Sequence, residues 1–188
     1  MRRRQNGLLR SGDKRTAARL AALYDWIGAA ILLLICLGVC FVFLFRLVVV
    51  QGDSMNPTLA DGEKLVVSAV YSKAERGDVV IVRRGKSSPL VKRVIAVEGD
   101  RVAIDSRSFQ VMLNGRLLKE EYAVGQTLPR DFGTGTRTIP EGYVMVLGDN
   151  RENSRDSRCR EIGLIPEEAI SGRVLFRFYP LERAGWIR

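Results

Sequence analysis

Twenty consecutive residues without a charge, 26–45 (WIGAAILLLICLGVCFVFLF), constrain this 188-residue chain more than any other stretch. As a helix rising about 1.5 Å per residue the run reaches about 30 Å, the thickness of a bilayer's hydrocarbon core. Tyr24 and Trp26 at one end and Arg46 at the other are placed as interfacial anchors. A cleaved secretory signal competes with this reading. The run is longer than the usual apolar region of such a signal, however, and no small-x-small cleavage site follows it. The chain therefore divides into a basic tail (1–25), a transmembrane helix (26–45) and a domain beyond it (46–188).

Charge gives the orientation. The net charge is +9, yet residues 1–25 hold seven basic and two acidic groups, so more than half of the excess precedes the apolar run. That asymmetry reads as an orientation signal rather than a nucleic-acid face. The expectation is a single-pass protein of the cell membrane, with its N-terminus cytoplasmic, its domain extracytoplasmic, and the lipid bilayer rather than nucleic acid as a partner. Residues 16–24 suit a helical lead into the membrane, and the first dozen residues read as disordered.

Beyond the span the pattern changes to short runs of β-branched residues punctuated by glycine, at 64–70, 78–82, 91–97, 143–147 and 173–179. Asn114-Gly115 between apolar residues predicts a tight hairpin within 111–118. A short helix is expected at 166–170, opened by Pro166 and two glutamates. The domain should be mostly β and barrel-like, with a smaller excursion over about 105–140.

The chain has no histidine. That excludes a Ser-His-Asp triad and any histidine-ligated metal. Ser54, in Gly52-Asp53-Ser54-Met55-Asn56-Pro57-Thr58-Leu59, lies between a strand-like run and a proline turn. As a nucleophile it would need its proton taken by a lysine, a carboxylate or a terminus. Lys92 is the best candidate, in the apolar strand-like run Leu90-Val91-Lys92-Arg93-Val94-Ile95. A lysine serves as a base near neutral pH only if burial lowers its pKa by roughly 2 to 3 units. The competing reading is a solvated edge lysine. Arg93 cannot replace it, because guanidinium keeps its proton. Cys36 and Cys40 lie in the apolar run and Cys159 stands apart, which makes neither a disulfide framework nor a plausible zinc site.

The stretch Gly148-Asp149-Asn150-Arg151-Glu152-Asn153-Ser154-Arg155-Asp156-Ser157-Arg158 would by composition be a solvated loop. Interleaved arginines disfavour calcium. Asp156 and Arg158 could pair and stiffen it, and Ser154 could exchange a hydrogen bond with a lysine amine.

Together these stretches resemble the bacterial type I signal peptidase family, in its short Gram-positive-like form. The likeness covers about residues 26–180 and rests on motifs in the family's order: the membrane segment, the Ser54 stretch, Arg76-Gly77-Asp78-Val79-Val80, the Lys92 stretch running on to Glu98-Gly99-Asp100, and 148–158. What the resemblance implies is a Ser-Lys dyad in which Ser54 attacks the scissile carbonyl and neutral Lys92 is the general base. Ser154 matches the serine that positions the lysine, and Asp156 and Arg158 match the supporting pair. The Ser54 backbone N–H would be one oxyanion donor. Gly52 stands where some members carry a serine that gives the second, so the group supplying the second donor is left open. Met55 belongs to the same supporting set. The resemblance further implies an all-β catalytic core of the family's barrel type with a smaller β insertion. Substrates would be signal peptides of secreted preproteins, cut after small-x-small sites, with no cofactor and no metal. Two other readings remain at this stage. One is a self-cleaving Ser-Lys protease, and the other is a membrane-tethered β domain that only binds a partner.

Overall fold

The computed structural model describes residues 5–85 and 87–187, in two compact units, Met1–Phe43 and Leu44–Arg188. In the first, α1 (Gln5–Leu44) is continuous. Within it Arg19–Leu44 is the one stretch among the described residues long and apolar enough to cross a membrane, and its large apolar side chains are exposed. Two expectations shift here. The helix ends at Leu44, so Phe45 opens a strand instead of closing the span. Residues 5–12, expected to be disordered, are helical; residues 1–4 lie outside the described residues. No proline precedes Pro57. A helix nucleated in the apolar run can therefore propagate back through Leu, Ala, Lys and Arg at little further cost.

The second unit is mostly β. In chain order its strands are β1 (Phe45–Val49), β2 (Lys64–Ser68), β3 (Val79–Arg84), β4 (Ser87–Ala96), β5 (Arg101–Ile104), β6 (Val111–Leu113), β7 (Arg116–Leu117), β8 (Arg137–Thr138), β9 (Tyr143–Leu147), β10 (Ile165–Pro166), β11 (Ile170–Tyr179) and β12 (Gly185–Trp186). The larger sheet runs β1-β2-β11-β3-β4-β9-β10, with β12 added to β11. The smaller runs β7-β6-β5-β8 and is the expected excursion, beginning a few residues earlier than the sequence suggested. Every strand pairing is antiparallel.

The all-β class holds, but the large sheet does not close into a barrel. Its far edge, β10, is two residues long and one of them is Pro166, which has no N–H to offer a closing partner. β11 does the long-range joining, and three register shifts along it bend it so that it serves β2 at one end and β3 at the other. Asn114 and Gly115 turn the β6–β7 hairpin with φ of 53° and 80°, as the Asn-Gly pair predicts. The expected short helix is a single 3-10 turn, Glu167–Ala169.

Apolar residues bury both faces of the central strands. In β3, Val79 and Ile81 join one core with Met55, Leu59, Leu65 and Val174, while Val80 and Val82 join another with Val94, Val144 and Val146. In β9, Met145 and Leu147 face a third core against the smaller sheet. This two-sided burial holds β3, β4 and β9 rigid, and β4 carries Lys92.

Candidate active site

The turn carrying Ser54 follows β1. Gly52 has φ +80°, a conformation that side-chain-bearing residues rarely adopt, and its N–H donates to the Asp61 carboxylate at 2.7 Å. Asn56 N–H returns to the Asp53 carbonyl and Leu59 N–H to the Met55 carbonyl, while the Met55 and Leu59 side chains are fully buried. Ser54 is thus presented half-buried on a turn anchored from below by Met55. Asp61 is a support that sequence reasoning missed, and no local pattern would have singled it out.

Lys92 is 2% exposed, and its Nζ donates to Ser54 Oγ at 2.6 Å and to the Val91 carbonyl at 2.9 Å. Burial pushes its pKa down to about 8. The charges of Asp156 and Asp149 act against this shift, and that of Arg158 adds to it.

Residues 148–158 are not a solvated loop. Seven of the eleven are buried, among them Asp149, Arg151, Ser154, Asp156 and Arg158. Composition misled because each buried charge has a partner. Arg158 holds Asp156 through two bonds of 2.8 Å. Burial alone would raise the Asp156 carboxyl. The hydrogen bonds and charge of Arg158, with the Gly148 N–H, outweigh it and hold the pKa below the ordinary carboxylate value. Arg93 forks onto Asp149 at 2.9 and 2.7 Å, donates to the Gly77 carbonyl, and stacks 4.1 Å from the Tyr122 ring centre. Arg151 reaches Glu120 Oε2 at 2.8 Å and Thr127 Oγ1 at 2.7 Å. Arg130 donates to the carbonyls of Ser154 and Glu152. Glu120, Tyr122, Thr127 and Arg130 all come from the smaller β region, which therefore buttresses this loop. None was foreseen, because such pairings join residues distant in sequence.

The loop also meets the nucleophile turn directly. Asn150 N–H donates to the Ser54 carbonyl at 3.1 Å and its side-chain amide to the Asp53 carbonyl at 3.2 Å. Gly148 packs so closely that a Cβ there would overlap Ser154 Oγ and the Ser54 carbonyl. Ser154 Oγ is buried without a well-formed hydrogen bond to Lys92 or to any other group, although it lies close enough to Asp156 to help lower that carboxyl's pKa. The sequence-predicted bond from Ser154 to Lys92 is therefore not formed here.

Two clefts meet at Ser54 and Lys92. One, of about 210 Å³, is walled by Val48, Val50, Met55, Ile81 and Leu90. The other, of about 450 Å³, is lined mainly by polar residues, among them Asp53, Arg130, Glu152, Asn153 and Arg155. In chemical terms this is equipment for attack by a serine oxygen. A hydroxyl touches a buried amine whose pKa is pushed down to about 8, beside a cleft walled by apolar side chains.

A peptidase of the serine type is the class to which such a site on an all-β scaffold points, and comparison with known proteins gives the family. The family model for signal peptidase, peptidase S26, matches residues 23–179. The chain belongs to that family. Signal peptidase IB of Staphylococcus aureus is 36% identical over 176 residues, covering 84% of this chain and 90% of that one. Signal peptidase I of Bacillus licheniformis is 34% identical over 181 residues, covering 89% and 95%. A crystal structure of a signal peptidase I from Enterococcus faecalis aligns with a TM-score of 0.44 at 26% identity, covering 55% of this chain and 98% of that one.

Proposed function

We propose that this chain is a membrane-anchored endopeptidase that removes signal peptides from secreted preproteins by a Ser-Lys dyad. The observation that carries the reading is the 2.6 Å contact between Ser54 Oγ and the buried Lys92 amine. Family membership supplies the substrate class.

In this mechanism neutral Lys92 takes the Ser54 proton as the oxygen bonds to the scissile carbonyl carbon, and the carbonyl π electrons move to oxygen. The tetrahedral intermediate collapses with expulsion of the new amine, which receives the proton from Lys92. Lys92 then takes a proton from water as the water oxygen bonds to the acyl carbon, and returns that proton to Ser54 Oγ when the ester bond breaks and the product acid leaves. The Ser54 N–H is one oxyanion donor. Gly52 N–H is held by Asp61, so it does not serve as the second unless that bond opens. Ser154 lines the same cleft as Lys92, and its buried hydroxyl, which has no formed hydrogen bond, is assigned as acceptor for the amine once the lysine turns from Ser54. Asp156 and Arg158 brace that loop from below.

The side chains upstream of the cut are assigned to the cleft walled by Val48, Val50, Met55, Ile81 and Leu90, in keeping with the small-x-small sites that the family resemblance implies. Residues 19–44 anchor the chain, with the basic tail cytoplasmic and the β unit outside, where the end of a signal peptide emerges.

The test is cleavage of a preprotein in detergent by the full chain, Ser54→Ala and Lys92→Ala, with folding checked by circular dichroism. Cleavage after a small-x-small site by the wild type alone supports the dyad. Activity retained in folded Lys92→Ala assigns the base elsewhere. A folded wild type that cuts no preprotein leaves a tethered binding domain.

A further inference from the structure

A third cleft, of about 330 Å³, adjoins the apolar cleft through Val48, Ile81 and Pro89 but is lined by neither Ser54 nor Lys92; Arg46, Arg83 and Arg84 line it over a floor that includes Val48, Val67 and Ile81. No carboxylate lines it. Among the described residues none of these arginines forms an ion pair, and Arg83 donates to the Glu168 carbonyl. In a regular strand Arg83 and Arg84 would point to opposite faces. Both nonetheless line this cleft, at the end of β3 where its pairing with β4 shifts register. Arg46 reaches it from β1, whose register pairs Arg46 with Val67 on the floor. Three like charges gathered without a counter-charge repel one another. That arrangement suits a ligand that brings the negative charge, and guanidinium forks fit phosphate oxygens well.

We propose that this cleft binds the phosphodiester of an anionic phospholipid headgroup. The choice of lipid over free phosphate follows from chain continuity and from the floor. Arg46 stands two residues after Leu44, the last residue of the apolar stretch. Two extended residues reach only about 7 Å, which keeps Arg46 at the surface of whatever bilayer holds that stretch. The valine and isoleucine floor offers an apolar wall to the glycerol and the first methylenes, which inorganic phosphate would leave bare. The inference rests on the reading of residues 19–44 as a membrane span.

The test uses the full chain in uncharged detergent micelles, titrated with short-chain phosphatidylglycerol and followed by native mass spectrometry. Parallel arms use short-chain phosphatidylcholine and inorganic phosphate. Arg83→Gln/Arg84→Gln is compared with Arg107→Gln/Arg116→Gln, which removes the same charge from exposed positions in the smaller β region. The expected result is phosphatidylglycerol binding weakened roughly tenfold or more in the first double variant only, as the loss of two charge-assisted contacts would give. Phosphatidylcholine binds poorly, and equimolar inorganic phosphate does not compete. Equal affinity in the two double variants, equal binding of the two lipids, no lipid binding at all, or competition by inorganic phosphate overturns the proposal. Extraction of the chain from membranes by alkaline carbonate tests the span separately, and preprotein cleavage by the same samples tests the peptidase reading.

Discussion

Lys92 and Arg93 are neighbours in β4, both almost wholly buried, and only the arginine is neutralised by an ion pair. Asp149 takes the Arg93 guanidinium through two bonds, whereas Lys92 meets only the Ser54 hydroxyl and a carbonyl. The sheet thus gives one cation a counter-ion and leaves the next free to lose its proton.

The first prediction concerns pH. With Lys92 lowered to about 8, kcat/KM for a preprotein should climb with pH and level off above about 8, with a slope near one log unit per pH unit on the acid side. A pH–rate profile whose acid limb lies near pH 5 would point to a carboxylate base and remove Lys92 from that role.

The same shift has a cost in stability. The folded state releases the Lys92 proton near pH 8 and the unfolded chain near 10.5, so between those values the unfolded state binds more protons and stability rises with pH. Below that window the buried ammonium costs about 3 kcal/mol. Lys92→Met should therefore abolish cleavage and raise Tm at pH 7, with the gain shrinking toward pH 10. Thermal unfolding across pH reads this directly; a Tm at pH 7 below that of the wild type would contradict it.

Much of this organisation is legible in the sequence. The uncharged run, the strands at β2, β3, β4 and β9, and the Asn114-Gly115 turn are local signals, fixed by periodicity and by residue-specific backbone preference. The serine and the lysine are legible because the absence of histidine leaves few bases to consider. What is not legible is pairing at a distance. The partners of Arg93 and Arg151, Asp149 and Glu120, are far from them in sequence and give no signal, whereas Asp156 and Arg158, two residues apart, are legible as a pair. The open sheet was hidden for a similar reason, since closure depends on what the two-residue strand β10 can offer.

The Arg93–Asp149 pair should be structural. Asp149→Ala leaves a buried guanidinium without its counter-ion and should lower stability by about 3–5 kcal/mol. Arg93→Met/Asp149→Leu should recover much of that loss, because no buried charge is stranded. Denaturant unfolding of the two variants and the wild type makes the comparison. Equal losses in the single and double variants would mean that the cation is not what the site must neutralise.

Gly148→Ala addresses the contact between the loop and the nucleophile turn. The added methyl group displaces Ser154 or the Ser54 carbonyl, and a shift of this size at a catalytic centre can lower the rate about a hundredfold. The variant should keep its circular dichroism spectrum and lose preprotein cleavage. Near wild-type turnover would show that the loop can retreat without disturbing Ser54.

The strand order carries one more consequence, concerning how the protein is made. β11 is the link between β2 and β3 in the large sheet, yet it follows every strand from β4 to β10 in the chain. It therefore joins the half that bears Ser54 to the half that bears Lys92. A chain interrupted before Ile170 already contains both residues but lacks the strand that joins their halves of the sheet, and it exposes two bare strand edges of the kind that invite mispairing. Under the proposed mechanism, the cleavage site is therefore braced across the sheet by a strand that is made late in synthesis.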